Sequence, residues 1–348
     1  MLDNFTKEKI AIEVIKILIK IHESMPIGEF HDKHNPFYKA FLNDFTDKLS
    51  DKVPDIPFFI SLSSWLHGLN TTLSQSFFES VSHILSGGEK QDFTSNRETL
   101  LKVSQEQKNA IANIITDLKN RVFRPDLNRE NELIFLTTHT NLDANSFTAD
   151  VFTEEDAKII AIELKIVQPN ASEMRGEKQK ILEAKAALFN RFHHKEIEYY
   201  IGFPFDPTSD TSTGANKSKF LCSIIDGHKY FASDEILLAS ELWDFLSGSK
   251  NTMEHILDII NKIATKDFMG KFKYLNDNTN RKNNIKTYET LLNDWFLFSE
   301  IELLNNDFEI TKNLHKKTRA RRIYNQSIFR DGEYNFEKYN FLMSLMDK

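Results

Sequence analysis

The stretch SFTADVFTEEDAKIIAIELKIV, residues 146–167, decides the fold. In the run Lys158 to Val167, Ile159, Ala161, Glu163 and Lys165 fall on one alternation phase, and Ile160, Ile162, Leu164 and Ile166 on the other. That pattern predicts a β-strand with one apolar face and one face that ends in charges. The preceding run alternates as well, with Phe147, Ala149 and Val151 against Thr148, Asp150 and Phe152, before Glu154, Glu155 and Asp156 form a polar turn. If the runs pair antiparallel about a centre near residue 156, position 150 lies opposite 162, give or take one. Asp150 and Glu163 then converge, and Lys165 joins them because side chains two apart in a strand share a face. Unpaired charges on buried strands are strongly disfavoured, and a divalent cation would resolve the cluster.

Two carboxylates offer hard oxygens, which suit Mg²⁺ better than zinc or copper. Such an ion polarises a phosphoryl oxygen and activates water, while Lys165 orients that water or offsets charge on the pentavalent phosphorus. The chemistry predicted is phosphodiester hydrolysis without a nucleophilic serine or cysteine. From spacing alone, a surface ion-pair cluster on a hairpin is the competing reading. Asp143, in the loop before the first strand, and Asp156, in the turn, are rival acids but less well placed.

At 348 residues the chain can hold one large domain or two ordinary ones, and 40% hydrophobic with 27% charged residues describes a soluble globular protein. The start, MLDNFTKEKIAIEVIKILIKIHES, is an amphipathic helix with charges throughout rather than a signal peptide, and no run of apolar residues is long enough for a membrane span. A cytoplasmic protein is expected. The single cysteine, Cys222, excludes an intramolecular disulfide and a cysteine-based zinc site, and its setting FLCSII predicts a buried strand residue. A net charge of −7 argues against indiscriminate coating of nucleic acid. It leaves a nuclease open, because phosphate contact depends on local basic patches.

Outside the hairpin, residues 1–66 form a helical N-terminal region, with Ile10, Val14, Ile17, Leu18 and Ile21 at helical spacing and a second such segment over Phe37–Leu49. Pro54 and Pro57 break the chain before an apolar stretch that ends in a polar turn at Gly68 and Asn70. Thr72 caps the next helix, which stops at Gly87 and Gly88. Its apolar stripe is Leu73, Phe77, Val81 and Ile84. Glu79, on the opposite face with Gln75 and His83, either is solvated or looks across the cleft to supplement the metal site. A polar loop from residue 91 leads to a helix over 102–120, and ELIFLTT (132–138) reads as a strand. After the hairpin, MRGEKQKILEAKAALFNRFHHK is the clearest helix, with Ile181, Ala184, Leu188 and Phe192 as its buried stripe. Arg175 to Lys195 carry six basic residues against two acidic ones, so Arg175, Lys178, Lys180 and Lys185 are candidate phosphate contacts, although lysines beside a stripe also snorkel to solvent. EYYIGFPF (198–205) is a further strand, FLCSIIDGHKYFAS a strand or short helix, and DEILLASELWDFLSG an amphipathic helix. The core thus spans 67–248. A mainly helical region, 249–348, follows, and its acid-free run KNLHKKTRARR offers Lys316, Lys317, Arg319, Arg321 and Arg322 to DNA or to solvent.

Strands bearing Asp150 and Glu163-Leu164-Lys165, in a helix, three strands, helix, strand order with a basic helix at once after them, resemble the PD-(D/E)XK nuclease superfamily. TAD at 148–150 stands where that superfamily has Pro-Asp. The words HGLNTTLSQSFFESVSHILSGGEK (67–90) and ELKIVQPNASEMRGEKQKILEAKAALF (163–189) are similar to type II restriction endonucleases of the TdeIII kind. The resemblance implies an α/β restriction-endonuclease-like core, a mixed sheet flanked by helices, with helical N- and C-terminal additions. It implies cleavage of double-stranded DNA at a short palindromic site, with GGNCC the associated sequence. Asp150, Glu163 and the main-chain carbonyl of Leu164 would bind Mg²⁺, Lys165 would be the catalytic lysine, and Glu79 would match the acid often found on the first core helix. One cut per strand of a palindrome implies a homodimer, and restriction implies a cognate DNA methyltransferase. A RecB-like exonuclease would carry Gln-x-x-x-Tyr on the helix after the E-x-K, whereas Gln179 is followed four residues later by Glu183. A DNA-binding protein that kept the fold and cleaves nothing is the third reading, and intact Asp150, Glu163 and Lys165 count against it.

Overall fold

The computed structural model describes residues 1–26, 56–93, 101–136, 142–166, 171–314, 318–330 and 332–346. The predicted Phe37–Leu49 helix lies outside them, as do Lys316 and Lys317. The chain divides into two compact units, one of residues 1–2 and 78–255, the other of 3–77 and 256–348.

The first unit holds α1 (Glu79–Ser86), β1 (Glu89–Phe93), α2 (Gln105–Lys119), α3 (Leu127–Ile134), β2 (Phe147–Glu154), β3 (Lys158–Leu164), α4 (Ala171–Arg191), β4 (Glu196–Phe203), β5 (Ile236–Leu238) and α5 (Ser240–Ser247). The five strands form one mixed sheet in the order β1-β2-β3-β4-β5. β1, β2 and β3 run antiparallel to their neighbours, whereas β3, β4 and β5 are parallel. Helix α4 makes the crossover that a parallel β3–β4 pair requires. Val151 pairs with Ile162 and Phe152 with Ala161, within one residue of the expected register. One step further along the ladder, Asp150 stands beside Glu163. β3 is the middle strand, and Ile159, Ala161 and Ile162 are all fully buried, so both of its faces are covered.

Helix α4 is enclosed more completely than a single stripe predicts: Ile181 through Leu188 are buried without a break. It packs on the sheet at β4 and against α2, α3 and the short helix Gly227–Tyr230. That enclosure overturns the expectation that Lys178 and Lys185 touch phosphate. Lys178 is wholly buried between Glu130 and Glu235, and Lys185 is 1% exposed. Neither can snorkel, because their side of the helix is closed off from solvent.

Other elements depart from expectation as well. The described part of the ELIFLTT segment, residues 132–136, is not a strand: Asp126 caps α3 by accepting from the Arg129 N–H, and the helix runs to Ile134, while residues 137 and 138 lie outside the described residues. The third strand of the sheet's antiparallel half is instead β1, where the sequence suggests the start of a polar loop. Its exposed edge residues hide the alternation. No polar turn interrupts the chain at Gly68 and Asn70, and Thr72 caps nothing: Ile56–Thr72 is α-helix and Leu73–Phe78 a π-helix preceding α1. Gly87 does end α1, in the left-handed conformation at φ +66°. At Gly88 a Cβ would meet the Phe152 carbonyl oxygen at 2.8 Å, so the close entry into β1 requires glycine. Ile236–Leu238 forms the edge strand β5 before α5, because three apolar residues fit a buried parallel strand as well as a helix. Cys222 is exposed on the short helix Lys217–Ser223, not buried in a strand.

In the second unit, Asp3 caps the helix Asn4–Ser24, and later helices gather around Leu303, Ile310, Leu314, Ala320, Tyr324, Leu342 and Leu345. Arg319, Arg321 and Arg322 lie exposed on the helix Thr318–Tyr324. No helix among the described residues is long and apolar enough to cross a membrane.

Candidate active site

The hairpin β2–β3 and the first turns of α4 build the site. The backbone N–H of Leu164 donates to Asp150 Oδ2 at 2.8 Å, fixing the carboxylate on β2 against the E-x-K element of β3. His83, on α1, is bonded to the same residue, its Nε2 donating to the Asp150 carbonyl oxygen at 2.6 Å. Glu163 is buried at 8% exposure, and its Oε1 accepts from Lys165 Nζ at 2.8 Å and Lys180 Nζ at 2.9 Å. Glu177 closes the group, taking Lys165 at 3.0 Å and Lys180 at 3.1 Å. On the other side of Asp150, Lys90 of β1 lies 3.7 Å from its Oδ1 and 3.3 Å from Glu79 Oε2.

The sequence-predicted trio therefore assembles, and Lys180 joins it. Among the described residues, Glu79 meets it through Lys90. The rival acids stay out: Asp143 pairs with Lys102, and Asp156 is exposed in the turn. Three participants escape the sequence reading. Glu177 carries a usable signal, since it lies three residues before Lys180 and so shares its helix face. His83 shares the polar face of its helix with Glu79, which places it near the site without giving it a role. Lys90 carries no signal, because β1 does not read as a strand.

Charge compensation governs protonation here. Burial works to lower the Lys165 pKa, but Glu163 and Glu177 outweigh it and raise it above the ordinary lysine value. Burial likewise opposes ionisation of Glu177, yet Lys165 and Lys180 prevail and its pKa is lowered. Lys90 is raised against its own burial by Glu79, Asp150 and Asp92. Tyr199 is pushed far up by burial first and then by the negative charge of Glu163, Asp150 and Glu177.

The donor set fits a hard divalent ion. Asp150 and Glu163 present only oxygens, and ammonium groups lie close to both carboxylates. Among the described residues no three metal-type side chains already converge as a cage. Two carboxylates offer the hard oxygens that such an ion takes, unlike the sulfur and nitrogen donors of a closed structural zinc site.

A family model described as type II restriction endonuclease, HinfI, matches residues 2–264. The type II restriction enzyme MjaII of Methanocaldococcus jannaschii is 40% identical over 352 aligned residues, covering 96% of this chain and 93% of the relative. Neither comparison names the TdeIII kind. Type II restriction endonucleases are site-specific deoxyribonucleases and generally require a divalent metal ion, so DNA is the substrate and the mixed α/β unit is a restriction-endonuclease-like core. The chain belongs to the HinfI family of type II restriction endonucleases.

Proposed function

We propose that this endonuclease cuts double-stranded DNA through a PD-(D/E)XK centre in which Asp150, Glu163 and the main-chain carbonyl of Leu164 hold Mg²⁺. The observation that carries the reading is the hydrogen bond from Leu164 N–H to Asp150, which holds the first acid beside Glu163 and Lys165. When bound, Mg²⁺ supplies Lewis-acid polarisation of the scissile phosphate and a nucleophilic water near neutral pH. Lys165, kept protonated by Glu163 and Glu177, is poised to offset charge on the phosphorus rather than to act as a base. Glu79 supplements the site at one remove, through Lys90.

The target in this reading is a short palindrome, with GGNCC the sequence implied by the TdeIII resemblance, cut by a homodimer whose two centres serve the two strands. A cognate DNA methyltransferase protects the host. Arg175, exposed at the start of α4, and Arg319, Arg321 and Arg322 are the proposed phosphate contacts, with Lys316 and Lys317 beside them in sequence.

The test is digestion of plasmid DNA with and without Mg²⁺, followed by sequencing of the fragment ends. Discrete Mg²⁺-dependent fragments ending within GGNCC are expected. Fragments that share another palindrome would discard the site, and fragments formed equally in a chelator would discard the metal.

A further inference from the structure

Two lysines outside the E-x-K element, Lys180 and Lys90, lie against the carboxylates assigned to the metal. Lys180 shares a single oxygen, Glu163 Oε1, with Lys165 of the element itself, at 2.9 and 2.8 Å. Glu177, in contrast, gives each lysine its own oxygen, Oε1 at 3.0 Å to Lys165 and Oε2 at 3.1 Å to Lys180. The four side chains close a ring of alternating charge. A looser version flanks Asp150, where Lys90 lies between Asp150 and Glu79.

Resting on the assignment of Asp150 and Glu163 as metal ligands, we propose that Lys180 is a placeholder cation at Glu163, and that Glu177 is the carboxylate that retains Lys180 when a divalent ion takes its place. A metal ligand oxygen cannot keep two ammonium groups in contact as well, since like charges at that range repel even in a partly exposed site. Glu177 and Lys180 are three apart on α4, so their pairing depends on local helix geometry and survives the loss of Glu163. Lys165 has no such freedom, being two residues from Glu163 in the same strand-end segment. The ring thus keeps the buried acid neutralised before metal arrives and gives the departing lysine a partner close by. Lys90 and Glu79 repeat the device at Asp150. Both Lys180 and Glu177 are positioning residues in this scheme, acting through Glu163.

The test uses the full chain without DNA and Mn²⁺ alone as the probe, with free Mn²⁺ counted by its paramagnetic resonance signal. Lys180→Gln is expected to tighten Mn²⁺ binding about three- to fivefold, the scale of one partly exposed ion pair. Glu177→Gln is expected to weaken it, because Lys180 then has only Glu163 to hold, and that weakening should largely vanish in the Lys180→Gln background. Equal affinity in wild type and Lys180→Gln overturns the proposal, as does a Glu177→Gln effect that persists in the double variant, which would make Glu177 a ligand. If Glu163→Ala binds Mn²⁺ as well as wild type does, the ligand assignment itself fails and the proposal falls with it.

Discussion

The Leu164 backbone N–H donates to Asp150 Oδ2 at 2.8 Å, so the two halves of the proposed cutting centre are joined by a bond from the middle residue of the E-x-K element to the acid of the other strand. In the proposed centre Asp150 has both a structural and a chemical duty, and two substitutions separate them. Asp150→Asn keeps an acceptor for Leu164 and should alter stability by less than about 0.5 kcal/mol, while Asp150→Ala should cost about 1 kcal/mol more by leaving the N–H unpaired. Both should be inactive in cleavage. Urea titration beside a plasmid assay checks this, and an active Asp150→Asn enzyme would remove Asp150 from the chemistry.

Lys178 should behave as a structural residue and not as a DNA contact. Its ammonium is enclosed between Glu130 and Glu235, so Lys178→Met leaves two buried carboxylates facing each other and should destabilise the fold by about 3–5 kcal/mol. The salt dependence of DNA binding, measured on the folded fraction, should not change.

The exposed arginines should show the reverse. Replacing Arg175, Arg319, Arg321 or Arg322 by Ala should leave the urea midpoint within error and reduce the slope of log affinity against log salt by about 0.9 for each phosphate that is no longer neutralised. Fluorescence anisotropy on a labelled duplex across a salt series reads the slope directly.

Lys185 supplies the pH prediction. Burial lowers its pKa to about 8, against an opposing pull from Glu235, with Lys178 adding to the lowering and Glu130 and Asp234 resisting it. Between about 8 and the ordinary lysine value the unfolded chain holds a proton that the folded chain has released, so this residue's contribution to stability rises with pH across that window. Lys185→Met should therefore be more stable than wild type at pH 7, and the gap should close as pH rises toward ~10. Urea midpoints taken at neutral pH and at two points inside the window test the trend, and a gap that widens with pH would contradict it.

The hairpin is legible in the sequence because alternation, a turn of three acids and charges confined to one strand end all agree on one register. Accuracy to a single residue matters there, since a one-residue slip turns a strand's side chains to the opposite face. α4 is legible as a helix but not as an enclosed one. Whether Lys178 reaches solvent or an acid is decided by Glu130 and Glu235, both far away in the chain. β1 and β5 are hidden for opposite reasons: one is an edge strand with polar, exposed residues, and the other a three-residue apolar run that a helical pattern absorbs. Without β1 there is no place for Lys90, and so no link between Glu79 and Asp150.

The most direct test of the proposed cutting centre is single-turnover cleavage of a plasmid by Glu163→Ala and Lys165→Ala, each shown by circular dichroism to be folded and by anisotropy to bind DNA. Both should retain DNA binding and fall about a hundred- to a thousandfold in cleavage rate, as expected when a group stabilising the transition state is removed. Wild-type fragments appearing at a wild-type rate with Glu163→Ala would place the chemistry elsewhere in the chain.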